Sequence, residues 1–214
     1  MFCDMSKKIQ VKKHEDSYFY KALDVMPEEV LPDLYDSAVK WLENTRKPIT
    51  KEVYPPEASA QLLAFTDFIT DHLWIQFYRN IRAHISKYCQ ITGIDLKTIK
   101  IHSSWITRVA DIEFPGKHTK EQLRKRLSQH STFGNMHSHT NNPIGVVYYL
   151  KNPSPKYGTI VQLTENKIFN NDGEENSLMV FNPELYHTAL YPPLEEVKKY
   201  PRMTIVCDLS LIHI

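Results

Sequence analysis

Among 214 residues there are only six glycines and three cysteines, and no stretch comes near the ~18 consecutive apolar residues that a membrane-spanning helix needs. Cys3, Cys89 and Cys207 are odd in number and scattered, without the paired spacing of a zinc site or of a disulfide framework. A disulfide-stapled scaffold is thereby excluded, and a reducing, cytoplasmic setting is the expectation. Asp4, Lys7 and Lys8 come before any apolar run, which is not the order of a secretory signal. Excess charge is missing too: 26 basic against 25 acidic side chains give a formal charge of +1, so no global field draws the chain to nucleic acid or an anionic membrane. Internal repeats, low-complexity tracts and nucleic-acid-binding motifs are also absent from the sequence.

What is there suggests one domain with a full core and many ordered connections, with twelve tyrosines and thirteen prolines. Ile9-Gln10-Val11 and Tyr18-Phe19-Tyr20 read as opening strands near a sheet edge. Apolar residues from Leu31 to Leu42 recur at helical spacing behind Pro27-Glu28-Glu29, which predicts a helix over 27–44. A second, longer stripe, Leu62, Phe65, Ile69, Leu73, Phe77, Ile81, Ile85 and Tyr88, predicts a helix that stops before Gly93. His72 and His84 on it have no neighbours that complete a ligand set, so both are expected in solvent or at the core edge.

From Ile99 the period changes to two. Ile99, Ile101, Ser103 and Trp105 alternate with Lys100, His102, Ser104 and Ile106, which places Trp105 in the core and His102 on the opposite face. Further strands are expected at Gly145–Leu150, Thr159–Leu163, Leu178–Phe181, Tyr186–Tyr191 and Thr204–Leu211, with turns at 153–158, at 170–173 and at Asn182-Pro183. Two helices followed by many short strands read as α+β, a double-stranded β-helix (jelly roll) over about residues 99–214 backed by helices over 27–92. A basic segment over 111–134, with Lys117, His118, Lys120, Arg124, Lys125, Arg126 and His130, interrupts it. It is either a solvated helical insertion or a lid that meets an acidic substrate or a phosphate backbone.

The chemistry-bearing residues cluster late in the chain. In Asn135-Met136-His137-Ser138-His139, the two histidines two residues apart point to one face of an extended segment and can hold one metal together. Alone, such a pair is ordinary strand polarity. His187 follows His137 by 50 residues, room for three intervening strands, and Arg202 follows His187 by 15, room for a loop and a return strand. Imidazoles suit Fe(II), Zn(II), Mn(II) and Ni(II) alike. The guanidinium of Arg202, with a hydroxyl at Thr204 two residues on, is the pair needed to grip a remote carboxylate.

Ser104-Trp105-Ile106, His137-Ser138-His139, Gly145-Val146-Val147-Tyr148-Tyr149-Leu150, Phe181-Asn182-Pro183 running on to His187, and Arg202-Met203-Thr204 together give the chain its family likeness. In order and spacing it resembles the 2-oxoglutarate/Fe(II)-dependent oxygenase superfamily, most closely a bacterial and phage group with a His-x-His, distal His and Arg-x-Ser pattern. The resemblance covers about residues 60–212. It implies Fe(II), 2-oxoglutarate as co-substrate and O2, with decarboxylation of 2-oxoglutarate to succinate coupled to oxidation, usually hydroxylation, of a substrate. That substrate is a small molecule, a side chain or a nucleobase. It further implies His137 and His187 as metal ligands, and Arg202 and Thr204 on the distal carboxylate. Tyr148 or Tyr149 would add a hydroxyl there, and Asn135 would bond the co-substrate or orient a ligand.

The departures leave alternatives open. Where the superfamily has a carboxylate ligand, this chain has His139. Either all three histidines ligate, or His139 opens the motif with Asn141 in the acid slot, or Asp111 or Glu113 folds in. Asp208 stands where the resembling group tends to be neutral. Competing expectations are a three-histidine cupin-type dioxygenase that uses no keto acid, and a jelly-roll binding module without catalysis.

Overall fold

In the computed structural model, residues 9–14, 16–44, 57–61, 71–109 and 136–211 are described. The basic segment 111–134, Asn135, Asp111, Glu113 and the Leu62, Phe65 and Ile69 part of the long apolar stripe lie outside them.

Among the described residues, ten strands form two antiparallel sheets. They are β1 (Ile9–His14), β2 (Ser17–Ala22), β3 (Glu57–Gln61), β4 (Ile99–Val109), β5 (Ile144–Lys151), β6 (Thr159–Thr164), β7 (Lys167–Asn171), β8 (Ser177–Phe181), β9 (His187–Ala189) and β10 (Arg202–Leu211). The large sheet runs β1-β2-β8-β5-β10-β4-β3 and the small one β7-β6-β9. Between β2 and β3 comes α1 (Leu31–Asn44), entered through a 3-10 turn after Pro27, and between β3 and β4 comes α2 (His72–Thr92). The Asp71 side chain accepts from Leu73 N and caps the start of α2, while Gly93 ends it in the left-handed conformation with φ 77°.

The large sheet is buried on both faces, so alternation in its central strands separates two cores rather than core from solvent. One row from each strand packs on the helices: Tyr20 and Ala22 from β2, Val146, Tyr148 and Leu150 from β5, Leu178 and Val180 from β8, and Met203, Ile205, Cys207 and Leu209 from β10. They meet Leu34, Ala38 and Leu42 of α1 and Trp74, Phe77, Ile81, Ile85 and Tyr88 of α2. The apolar stripe of the long helix is thus confirmed from Phe77 onward. His84 is buried at the core edge, as expected, its Nδ1 2.7 Å from the Tyr20 hydroxyl. The opposite row, Phe19, Val147, Tyr149, Met179 and Phe181, faces Val161 of the small sheet. This second core lies between the two sheets, and the functional side chains border it.

Three expectations change. Glu57–Gln61 is a strand on β4, although its residues carry no strand signal. Asn170 and Asn171 close β7 instead of opening a loop. In β4 the pairing with β10 slips between Asp208 and Leu209, so that Ser103 opposes Asp208, Ile101 opposes Leu209, and His102 is skipped. This bulge turns the strand over. Ile99 and Ile101 pack toward the helices, whereas Trp105 lies on the inter-sheet face and only half-buried.

No helix among the described residues is long and apolar enough to cross a membrane.

Candidate metal centre

His137 and His187 are set by their backbones. His137 N donates to His187 O at 3.0 Å and His187 N to His137 O at 2.8 Å, an isolated antiparallel bridge that extends the small sheet beyond β9. Directly opposed residues in such a bridge place their side chains on one face, and two residues on, His139 returns to it. The His139 amide donates to Pro183 O at 2.9 Å, which ties the ligand segment to the Asn182-Pro183 turn. That turn sits against Gly145 of β5, where an added Cβ would come 2.9 Å from Pro183 Cβ. Gly145 therefore lets the turn close down far enough to hold His139.

The three rings gather with centroids 4.5 Å apart for His137 and His187, 4.9 Å for His137 and His139, and 5.0 Å for His139 and His187. One nitrogen from each lies within 4.8 Å of the others, the spacing at which a metal ion can be held. Hydrogen bonds decide which nitrogen is offered. His187 Nδ1 is 2.8 Å from Leu185 O; a carbonyl only accepts, so Nδ1 carries the proton and Nε2 keeps its lone pair. His139 Nδ1 is 2.6 Å from Asp208 Oδ2 without the alignment of a hydrogen bond, and the carboxylate charge beside it favours hydrogen on that nitrogen. Burial, reinforced by the neighbouring His137 and His139, pulls His187 down to about 4, so its imidazole is neutral at pH 7.

Arg202 opens β10 on the same inter-sheet face. It is 1% exposed, its guanidinium carbon is 5.8 Å from the centroids of both Tyr149 and Tyr191, and its Nε donates to Tyr157 O at 3.2 Å. Among the described residues no carboxylate pairs with it. Thr204, buried and two residues along, shares its face. Tyr149, not Tyr148, is the tyrosine on that face: Tyr148 packs on Phe77 of α2 and donates to Asn176 Oδ1 at 2.9 Å. The assignment of Tyr148 to the carboxylate end is therefore corrected, because adjacent strand residues point oppositely. The Tyr149 hydroxyl meets Thr159 Oγ1 at 2.6 Å.

Two more readings change here. Asn141 is exposed, with φ 69°, and lines a separate groove with Pro143 and Asn182, so it does not fill an acid slot. Trp105 leaves the core and stands beside the cluster, its ring centroid 5.8 Å from that of His139. Asp208 carried no role in the sequence reading, although a charge inside the apolar run Ile205 to Leu209 of a buried strand was the available signal.

No protein-family model matches the chain, and no curated protein sequence does. Its fold does match solved structures. A Pseudomonas putida prolyl-4-hydroxylase is 11% identical with a TM-score of 0.58, the match covering 90% of this chain and 92% of that one. The non-haem α-ketoglutarate-dependent epimerase SnoN of nogalamycin biosynthesis gives 9% and 0.57, covering 90% and 77%. A collagen prolyl hydroxylase of Paramecium Bursaria Chlorella virus-1, in its 2-oxoglutarate complex, gives 9% and 0.52, covering 89% and 94%. The double-stranded β-helix, or jelly roll, is the fold of this chain, as these structural matches and its antiparallel sheets show.

Proposed function

We propose that the protein is a non-haem Fe(II) and 2-oxoglutarate-dependent oxygenase. The observation that carries this reading is Arg202: a fully buried guanidinium, without a carboxylate partner among the described residues, on the same inter-sheet face as a three-histidine cluster. A buried charge without a counter-charge costs several kcal/mol. Such a residue makes sense where an anionic ligand completes it. Arg202 and Asp208, which reaches His139, lie six residues apart on β10, roughly 20 Å in extended chain. A metal and a five-carbon keto diacid are groups that fit between such ends. The fold shared with a structure solved as a 2-oxoglutarate complex supports the same assignment.

In this reading His137, His139 and His187 would hold the iron, three imidazole nitrogens being a donor set that suits Fe(II). Iron supplies the oxygen-dependent oxidation chemistry. The chain's own residues do the rest. Arg202 binds the distal carboxylate of 2-oxoglutarate with charge-assisted hydrogen bonds and Thr204 offers a hydroxyl beside it. Tyr149 and Tyr191 flank the guanidinium, restrict its orientation and exclude water from it. Leu185 O and Asp208 fix two imidazoles with Nε2 facing inward. Trp105, half-buried next to His139, is positioned to contact the substrate, a small molecule or a side chain.

Purified protein supplied with Fe(II), ascorbate and 2-oxoglutarate should release succinate even without a prime substrate. His187→Ala should abolish metal binding, while Arg202→Ala should weaken 2-oxoglutarate roughly a hundredfold and spare the metal. Metal binding without any succinate formation or 2-oxoglutarate affinity would move the assignment to the second reading, a three-histidine dioxygenase indifferent to Arg202. The all-nitrogen donor set is what favours that alternative.

A further inference from the structure

Three neutral imidazoles offset none of a divalent cation's charge. Among the described residues the carboxylate nearest to doing so is Asp208, and it reaches the cluster through His139. Its side chain is 7% exposed, its Oδ2 lies 2.6 Å from His139 Nδ1, and no lysine or arginine pairs with it among the described residues. Across the sheet its register partners are Gly145 on β5 and Ser103 on β4. Neither contributes a charge, and the first contributes no side chain. The bulge in β4 falls at this point, next to Ser103, and Gly145 also admits the turn whose Pro183 O holds the His139 amide. The surroundings therefore bring His139 and Asp208 together while giving Asp208 no other counter-charge. A buried carboxylate in that position is costly as a purely structural residue; opposite an imidazole N–H whose far nitrogen faces a dication, it is compensated.

We propose that Asp208 is a positioning residue that acts on the bound metal through His139. Its carboxylate holds the ring with hydrogen on Nδ1, turns Nε2 toward the metal, and raises the electron-donating strength of that nitrogen. The negative charge that a ligand carboxylate would bring is thus supplied one residue further out. This inference rests on the three histidines being the metal site.

The test uses Co(II) as the probe, titrated into the full chain and followed by calorimetry and visible absorption, with circular dichroism to check folding. Wild type should bind one Co(II). Asp208→Asn, which keeps shape and removes charge, should weaken binding by about 10- to 100-fold and shift the Co(II) absorption bands. In a His139→Ala background, adding Asp208→Asn should change the affinity by less than about twofold, because the two residues act as one unit. An equal loss in both backgrounds, or no loss beside wild-type His139, would overturn the inference and leave the metal site standing. Failure of wild type to bind Co(II) at all would overturn both. A measurement without variants covers the case in which Asp208→Asn does not fold: nitrogen-15 NMR of the metal-free wild-type imidazoles should show His139 protonated at Nδ1, and protonation at Nε2 alone would contradict the proposal.

Discussion

The two faces of β10 are both largely buried and chemically opposite. Met203, Ile205, Cys207 and Leu209 point at the helices and are all apolar, whereas Arg202, Thr204 and Asp208, separated by the half-buried Val206, point between the sheets. Arg202, Thr204 and Asp208 are themselves buried, so solvent does not explain their polarity. The helix-facing row is what holds the sandwich together. The other row places a cation at one end and an anion at the other, each costly to bury, and among the described residues neither pairs with an opposite charge, Asp208 meeting only the His139 imidazole. Polar groups retained in a dry position at a cost to stability are the mark of a site, and the same strand that anchors the fold serves it.

If that division holds, the two rows should fail differently. The largest effect on folding is expected from the helix side: Ile205→Ala should lower stability by about 2–5 kcal/mol while metal and 2-oxoglutarate binding survive in the folded fraction, as urea unfolding and calorimetry would show. A comparable loss of metal affinity would break the comparison.

Next comes acid. His84, on the helix side, is pulled from 6.5 down to about 4, first by burial and then by Lys87. Because the folded protein resists the proton that the unfolded chain accepts near 6.5, the stability tied to His84 is complete above that pH and drains away as pH falls toward about 4. Urea midpoints between pH 7.5 and 4.5, conditions of about neutral to mildly acid range for a histidine, should fall less steeply in His84→Gln than in wild type.

The smallest effect sharpens the comparison on β5. Tyr148→Phe loses the bond to Asn176 and should cost about 1 kcal/mol with no change in 2-oxoglutarate affinity. Tyr149→Leu, which removes the ring lying against Arg202, should alter that affinity.

How much of this was legible follows from the same two-sided burial. The helical stripe, the strands at Gly145–Leu150, Thr159–Leu163 and Leu178–Phe181 and the order His137, His139, His187, Arg202 could be read, because periodicity and spacing survive in one dimension. The choice between Tyr148 and Tyr149 could not: every residue from Ile144 to Leu150 is buried, so polarity gives no clue to facing. Trp105 was misplaced because one bulge at His102 reversed the alternation counted from Ile99. Glu57–Gln61 has no β-branched or aromatic residue to announce a strand. Asp208 meets His139 across a long separation in sequence, and only the sheet register brings them together.

The central claim, that the polar row of β10 exists for an anionic co-substrate, is tested most directly by Arg202→Met. Replacing a buried, unpaired charge by an apolar side chain of similar length should leave the melting temperature unchanged or raise it, while anaerobic titration of the Fe(II)-loaded protein shows 2-oxoglutarate affinity falling roughly a hundredfold. A variant that melts markedly lower and still binds 2-oxoglutarate as wild type does would contradict the account, because Arg202 would then be a structural residue.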